Sequence, residues 1–358
     1  MEYSRIVIKI GSNVLTRNDG TLDHTRISSL VDQVALLYKS GIEVIVISSG
    51  AVASGRSELF LKKKLDIVSS RQLFSSIGQV KLINTYYNLF REYGITCGQV
   101  LTTKESFSSR RHYLNQRNCI NTMLENGIIP IINENDTISV TELMFTDNDE
   151  LSGLIATMAE ADLLVILSNI DGIYNGAPDD ESSIVIREIT TDTQLSSYIN
   201  PSKSSFGRGG MLTKSRISQK VADEGIEVLI TNGRRDNILV DLLLNKMDVV
   251  ATRFLPSEKS ISGVKKWLAH SESFAKGRIT INSGVFDALI SHKVVSVLPV
   301  GLLSVEGDFE KDDIVTILSP DGTYIGLGKT TYSSDEARSV LGQKGQKPII
   351  HYDYLYIE

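Results

Sequence analysis

At 358 residues the chain is longer than one ordinary compact domain, so its length predicts two domains or three. A hydrophobic share of 41% and a charged share of 22% are typical of a globular protein and exclude disordered, collagenous and membrane classes. The net charge of −6 excludes a global attraction to nucleic acid or anionic lipid. With only two cysteines, Cys97 and Cys119, no signal-peptide layout and no long apolar run, we expect a cytoplasmic protein without membrane association.

The first 250 residues alternate short apolar runs with longer helical patterns. Runs rich in valine and isoleucine predict buried strands at Arg5–Ile10, Val44–Ser48, Ile128–Asn133 and Leu163–Ser168. Periodic patterns predict helices over the stripe from Ile27 to Tyr38 and over Asp66–Tyr93, Arg110–Asn126, Leu151–Glu160 and Met211–Glu224. Gly41 and Gly94 follow two of these patterns as C-terminal caps.

Strands that alternate with helices indicate parallel βαβ units. We therefore predict an α/β fold, a three-layer αβα sandwich with a mostly parallel sheet. In such folds ligands bind at the carboxyl ends of the strands. We therefore expect the ligand-binding and catalytic residues to lie just after each strand.

The pattern changes after about Val250. Strand-like pieces at Ile279–Ile281, Val294–Leu298, Ile314–Leu318 and Tyr324–Leu327 predict a small β-rich domain, plausibly a barrel. We place the first domain at 1–252, a linker at 253–275 that contains Trp267, and the second domain at 276–358.

The first strand ends in Lys9, Ile10 and Gly11, followed by Ser12 and Asn13. The chain has no Walker or dinucleotide-binding signature and no HExxH motif. A lysine beside a glycine turn could still reach a phosphate while backbone amides hold its oxygens. The alternative is a surface lysine before an ordinary turn.

The second predicted strand leads into the loop Ser48–Arg56, which has two glycines and three serines. Small donors and close backbone access suit a carboxylate or a phosphate. A flexible exposed loop is the alternative, although the buried strand before it makes that reading weaker.

Two acidic and amide clusters follow the third predicted strand. They are Asn133–Asp136 and Asp147–Asp149, the second at the start of a predicted helix. Acidic residues there could simply cap the helix. Seven such residues exceed capping needs, so the clusters could hold the amino and carboxyl groups of a small zwitterion, or a metal ion through water.

Two further turns point to a nucleotide. Ser168 ends a strand and opens into Asn169–Tyr174, which could border a base or ribose. The run Gly207–Lys214 is glycine-rich and enters a helix, and backbone amides at a helix start with a lysine in its first turn form a polyphosphate site. A linker is the alternative there. The five histidines are scattered and suggest neither a metal site nor a catalytic triad.

Taken in order, these motifs resemble the amino-acid kinase superfamily, and within it the glutamate 5-kinase family. The matching strings are IVIKIGSNVL, VIVISSGAVASGR, SRQLFSSIGQVKLI, PIINENDTI, TDNDELSGLIA, SNIDGIY and GRGGMLTK. The strings VKKWLA, GRITINSGVFDAL, SVLPVGLLSVEGDFEKDDIVTI and GKTTYSSDEAR resemble the linker and C-terminal PUA domain of that family, so the likeness spans essentially the whole chain.

The resemblance implies transfer of the γ-phosphoryl group of ATP to the side-chain carboxylate of L-glutamate, the first step of proline biosynthesis. It implies catalytic roles for Lys9, Lys214 and Asp149. It implies substrate binding by Ser49, Gly50, Asn133, Asp136 and Asn148. It implies ATP binding by Lys9, Gly11, Ser168, Asn169, Arg208, Gly209, Gly210, Met211, Leu212, Thr213 and Lys214. Asn169 stands where the family often has Asp, and Arg208 where Thr is familiar.

The implied cofactors are ATP and Mg²⁺, with the metal carried by ATP and no direct protein ligand. Proline is implied as a feedback inhibitor, and a homodimer or homotetramer as the assembly. A related kinase acting on another small acid is the alternative among enzymes. RNA binding is the alternative for the PUA domain, but residues 276–358 hold eight Lys and Arg against eleven Asp and Glu, so nucleic acid is not expected as a partner.

Overall fold

The computed structural model describes residues 3–59, 65–139, 148–176, 180, 182–190, 211–258, 263–269, 271–291 and 295–357. They group into two compact units. The first comprises residues from 1–106 and 113–260, and the second residues from 107–112 and 261–358. Within the described ranges, no helix combines the length and the apolar character that crossing a bilayer requires.

The first unit contains an eight-stranded sheet. Its strands are β1 (Arg5–Ile10), β2 (Glu43–Ser48), β3 (Thr96–Thr102), β4 (Ile128–Glu134), β5 (Leu163–Ser168), β6 (Glu188–Ile189), β7 (Glu227–Asn232) and β8 (Ala251–Phe254). The helices along the same stretch of chain are α1 (Ser12–Leu15), α2 (His24–Lys39), α3 (Ala51–Arg56), α4 (Ile67–Glu92), α5 (Glu105–Ser108), α6 (Arg110–Glu125), α7 (Asn148–Met158), α8 (Met211–Asp223) and α9 (Ile238–Leu243).

The sheet is mostly parallel, as predicted. Its strand order is β3-β4-β2-β1-β5-β7-β8-β6, and the pair β7 and β8 is antiparallel. Strands β1, β2 and β5 are buried along almost their whole length. Continuous valine and isoleucine runs suit such strands because both faces of a parallel sheet are covered. The predicted α/β class is confirmed.

The helix limits follow local signals in the sequence. The side chain of Asp23 accepts a hydrogen bond from the Arg26 amide at the start of α2, and Asp66 accepts one from the Ser69 amide at the start of α4. These bonds satisfy amides that have no partner inside the helix. The predicted helix over 66–93 is observed one residue shorter at each end.

The centre of the sheet is where the chain changes direction. From β1 the chain moves to β2 on one side, and it returns later as β5 on the other side. Lys9 in β1 therefore lies in register with Ile47 of β2 and Ile166 of β5. Such a switch point opens a crevice at the carboxyl ends of the strands.

The second unit contains a five-stranded sheet. Its strands are β9 (Gly277–Ile281), β10 (Leu302–Gly307), β11 (Ile314–Leu318), β12 (Tyr324–Thr330) and β13 (Ile350–Ile357), in the order β10-β9-β11-β12-β13. Its helices are α10 (Gly263–Ala269), α11 (Ser283–Ile290) and α12 (Ser334–Ser339). The predicted β-rich second unit is confirmed, whereas α11 and α12 were not predicted.

The predicted strand at Val294–Leu298 is wrong in the part that the structure describes. Only Val297 pairs, in an isolated bridge with Ile350, and Pro299 then begins a 3₁₀ turn. Proline has no amide hydrogen to continue a ladder. Within the predicted linker, Trp267 of α10 is buried and donates to the Phe107 carbonyl oxygen at 3.0 Å, both residues belonging to the second unit.

Candidate active site

The crevice at the strand ends contains a buried cluster of two lysines and one aspartate. Asp149 lies in the first turn of α7 with no exposed surface, and Lys9 near the end of β1 is only 5% exposed. Lys9 Nζ forms an ion pair with Oδ1 of Asp149, and Lys214 Nζ donates to Oδ2 at 2.6 Å. The fold thus brings Asp149 into contact with Lys214, which is 65 positions away in sequence, and with Lys9, which is 140 positions away.

The electrostatics of this cluster favour an anionic ligand. Burial raises the pKa of Asp149, but the ammonium groups of Lys9 and Lys214 outweigh it and lower that pKa to about 2. The aspartate is therefore ionised, and two positive charges against one negative charge leave an excess of +1. Fixed positive charge in a buried site is suited to stabilise charge on a phosphoryl group.

A second set of polar side chains forms a hydrogen-bonded network beside the cluster. Nδ2 of Asn148 donates to Ser49 Oγ at 3.0 Å and to Asn133 Oδ1 at 3.1 Å. Asn133 donates in turn to Gln79 Oε1 at 3.0 Å. Gly50 follows Ser49 with a φ of +104°, which other residues rarely adopt. Four of the predicted substrate residues are therefore neighbours.

Asp136, the fifth predicted substrate residue, lies at the start of the turn after β4. It is 8% exposed, and Arg71 of α4 contacts both Asp136 and Glu134. Burial raises the pKa of the Asp136 carboxyl, and the Arg71 guanidinium partly offsets that rise. Asp136 is thus a buried acid whose ionised form is stabilised by the Arg71 guanidinium.

Arg71, Gln79 and Glu134 were not among the predicted site residues. Glu134 is part of the predicted acidic cluster, but no role was assigned to it. Gln79 belongs to a polar stripe on α4 with Gln72 and Ser75, at helical spacing of three and four residues. That stripe was the available signal for a helix face directed at polar partners.

The predicted nucleotide residues that the structure describes lie at neighbouring strand ends. The Gly11 amide donates to the Leu167 carbonyl at 3.0 Å, and a Cβ on Gly11 would lie 3.7 Å from Lys9 Nζ. Ser168 ends β5 and is buried, whereas Asn169 is exposed. Met211, Leu212, Thr213 and Lys214 form the first turn of α8. Arg208, Gly209 and Gly210 lie outside the described residues.

The described acidic side chains at the site are engaged by cations of the protein itself. Among the described residues no group of three or more metal-ligating side chains exists. Asp149, the buried acid at the centre, already has an ammonium group on each oxygen.

Comparison with known proteins agrees with this geometry. Residues 4–232 match the model of the amino acid kinase family, and residues 277–352 match the PUA domain. The chain is 66% identical to the glutamate 5-kinase of Bacteroides thetaiotaomicron, covering 100% of this chain and 99% of that protein. It is 47% identical to the glutamate 5-kinase of Chlorobaculum tepidum, covering 99% and 98%.

A solved structure shares the fold. The carbamate kinase from Giardia lamblia bound to AMP-PNP superposes with a TM-score of 0.52 at 17% identity, covering 72% of this chain and 100% of that one. The chain therefore belongs to the amino acid kinase family, and the two relatives named above, which it matches over nearly their full length, are glutamate 5-kinases.

Proposed function

We propose that the protein transfers the γ-phosphoryl group of ATP to the side-chain carboxylate of L-glutamate, forming L-glutamyl 5-phosphate and ADP. The observation that carries this proposal is the buried cluster of Lys9, Asp149 and Lys214 at the strand ends. The full-length likeness to glutamate 5-kinases supports the choice of acceptor.

The acceptor needs no general base. A glutamate side chain has an ordinary pKa of about 4.3 and is already an anion at neutral pH. One of its oxygens attacks the γ-phosphorus, the bond from phosphorus to the bridging oxygen breaks, and ADP leaves with the electron pair. The difficulty is to bring two anions together in line, so positioning and positive charge supply most of the catalysis.

Lys9 and Lys214 supply that positive charge, and Asp149 orients them. Because the three side chains come from β1, α7 and α8, closing the cluster fixes both lysines relative to the sheet. Gly11 gives the phosphate oxygens access to backbone amides, as do Gly209 and Gly210 in the family motif. Mg²⁺, when bound to ATP, neutralises part of the phosphate charge.

The acceptor is held by the polar network. Ser49 and Asn148 offer a hydroxyl and an amide to the carboxylate groups of glutamate, with Asn133 supporting Asn148 from behind. Asp136 offers a negative charge to the α-ammonium group. On the nucleotide side, Ser168, Asn169 and residues 211–214 line the place of ATP, and the family resemblance adds Arg208, Gly209 and Gly210 as ATP-binding residues.

An ADP-release assay with a panel of acceptors tests the function. Glutamate, aspartate, N-acetylglutamate and UMP are supplied in turn with ATP and Mg²⁺. We expect ADP release to depend on glutamate, and the Lys9→Met variant to release little ADP with any acceptor. Turnover with another acceptor and none with glutamate would refute the proposal.

Two further properties are proposed from the family resemblance. Proline carries an ammonium and a carboxylate group on a small ring, so it would compete with glutamate for the groups that Asp136 and Asn148 supply. Inhibition by proline that glutamate overcomes would support this, and insensitivity to millimolar proline would contradict it. Sedimentation velocity tests the expected dimer or tetramer.

A further inference from the structure

Arg71 connects helix α4 to two buried carboxylates at the end of β4. Its Nε donates to Asp136 Oδ1 at 2.8 Å, and its Nη2 donates to Glu134 Oε2 at 3.0 Å. The side chains of Glu134 and Asp136 are 4% and 9% exposed, against 23% for Arg71. The guanidinium group therefore holds together two acids that would otherwise repel each other.

The contacts of Arg71 are unevenly distributed over Asp136. Both Nε and Nη2 of Arg71 approach Oδ1, the latter at 2.5 Å. Oδ2 of Asp136 takes no part in either contact. Arg71 thus fixes one oxygen of the carboxylate, and it leaves Oδ2 able to accept a hydrogen bond from a ligand.

The charge of this group is matched to a single cation. One arginine and two carboxylates sum to −1. The α-ammonium group of an amino acid carries the complementary +1, whereas an N-acylated amino acid presents a neutral amide in its place. Because Glu134 and Asp136 share the Arg71 guanidinium, an acceptor without a positive charge does not offset the excess negative charge of these three side chains, and we expect the site to discriminate against the neutral analogue.

Helix α4 is a rigid support for Arg71. A Cβ on Gly78 would lie 1.8 Å from the Ala51 carbonyl oxygen, so α4 and α3 are in direct backbone contact. From the same helix, Gln72 donates to the Thr137 carbonyl at 2.8 Å and Gln79 accepts from Asn133. The helix therefore bonds to β4 before Asp136 and to the turn residue directly after it.

We propose, resting on the function proposed above, that Arg71 is a positioning residue that presents Oδ2 of Asp136 to the α-ammonium group of the acceptor and so selects acids with a free amino group. Arg71 touches neither the phosphoryl group nor the nucleotide in this role. Its loss should weaken acceptor binding and leave the transfer step itself largely intact.

The test compares Arg71→Gln and Arg71→Lys with the wild type. The control is Arg117→Gln, because Arg117 pairs with Glu160 near the surface at 2.8 Å. For Arg71→Gln we expect the glutamate KM to rise by roughly ten- to a hundredfold, the loss of a hydrogen bond to a charged group. The kcat and the KM for ATP should stay within about threefold.

Lysine keeps the positive charge but cannot reproduce the planar guanidinium that bonds to both carboxylates, so Arg71→Lys should give a glutamate KM between those of wild type and Arg71→Gln. The preference for glutamate over N-acetylglutamate should fall in Arg71→Gln and recover in part in Arg71→Lys. If Arg71→Gln does not fold, glutamate binding to Arg71→Lys measured by calorimetry replaces it, with weaker binding than wild type expected.

Three results would overturn the inference. One is an unchanged glutamate KM in Arg71→Gln. The second is an equal rise in the KM values for ATP and for glutamate, which would indicate a general disruption of the site. The third is wild-type binding of glutamate by Arg71→Lys where Arg71→Gln does not fold. A wild-type enzyme that does not use glutamate overturns the proposed function instead, and this inference with it.

Discussion

Replacing Asp149 with asparagine removes the negative charge that pairs with both Lys9 and Lys214. Asp149 has no exposed surface, so neither solvent nor salt can replace that charge. A pKa lowered from 3.8 to about 2 corresponds to about 2 kcal/mol of unfolding free energy at neutral pH. Removing one partner of a buried ion pair brings the expected loss to about 3–5 kcal/mol.

Urea denaturation of wild type and Asp149→Asn at pH 7 measures this loss. The matched control is Asp236→Asn, since Asp236 is 89% exposed and pairs with Arg26 at 3.3 Å. We expect the control to change stability by less than about 0.5 kcal/mol. The kcat of Asp149→Asn should fall by about a hundredfold or more, because both lysines lose their orientation.

The pH dependence gives the sign of the effect. Because folding lowers the pKa of Asp149, its stabilisation is complete above the unfolded value of 3.8 and is lost as the pH falls toward about 2. The stability difference between wild type and Asp149→Asn should therefore be constant from pH 7 to pH 5 and shrink below pH 4. Equal stability of the two proteins at pH 7 would refute the account of the cluster.

Three further changes probe the site. Lys214→Ala should lower kcat by orders of magnitude, because Lys214 supplies positive charge that acts mainly in the transition state. Arg216 is exposed on the same helix, so Arg216→Ala should leave kcat unchanged, and equal kcat values for the two variants would contradict the role of Lys214. Asp136→Ala should raise the glutamate KM. Because burial raises the pKa of Asp136, the wild-type glutamate KM should also rise on acidification, whereas that of the variant should not change with pH. A wild-type glutamate KM that is independent of pH would count against a charged Asp136. Gly78→Ala should lower the free energy of unfolding by about 3 kcal/mol or more, because the added methyl group overpacks the contact between α3 and α4. The surroundings of Gly263 are open, so Gly263→Ala should change the free energy of unfolding little. An unchanged stability of Gly78→Ala would show that the two helices can move apart.

Much of the kinase unit could be predicted because its strands have an unambiguous local signal. Arg5–Ile10 and Leu163–Ser168 are observed at their predicted limits, since a parallel strand buried on both faces must be apolar throughout. The strand predicted at Val294–Leu298 looked equally apolar. A strand also needs a partner, and the sequence alone does not tell whether one is present.

The site could be predicted in part. Lys9, Asn133 and Asn148 were proposed because glycine turns and polar residues follow buried strands, and the family resemblance implied their roles. The family resemblance also implied that Asp149 orients Lys9 and Lys214, whereas spacing alone does not indicate that pairing, because residues 205 positions apart meet only through the strand order of the sheet. Arg71 was not predicted because an arginine on a helix gives no sign of the acids that it will contact.

The most direct test of the proposed chemistry is to identify the atom that receives the phosphoryl group. The protein is incubated with ATP, Mg²⁺ and glutamate in the presence of hydroxylamine, which traps an acyl phosphate as a hydroxamate, and the product is located by mass spectrometry. We predict a hydroxamate at the side-chain carboxyl group, formed in step with ADP and abolished in Lys214→Ala. ADP release without any hydroxamate, or a hydroxamate at the α-carboxyl group, would contradict the account.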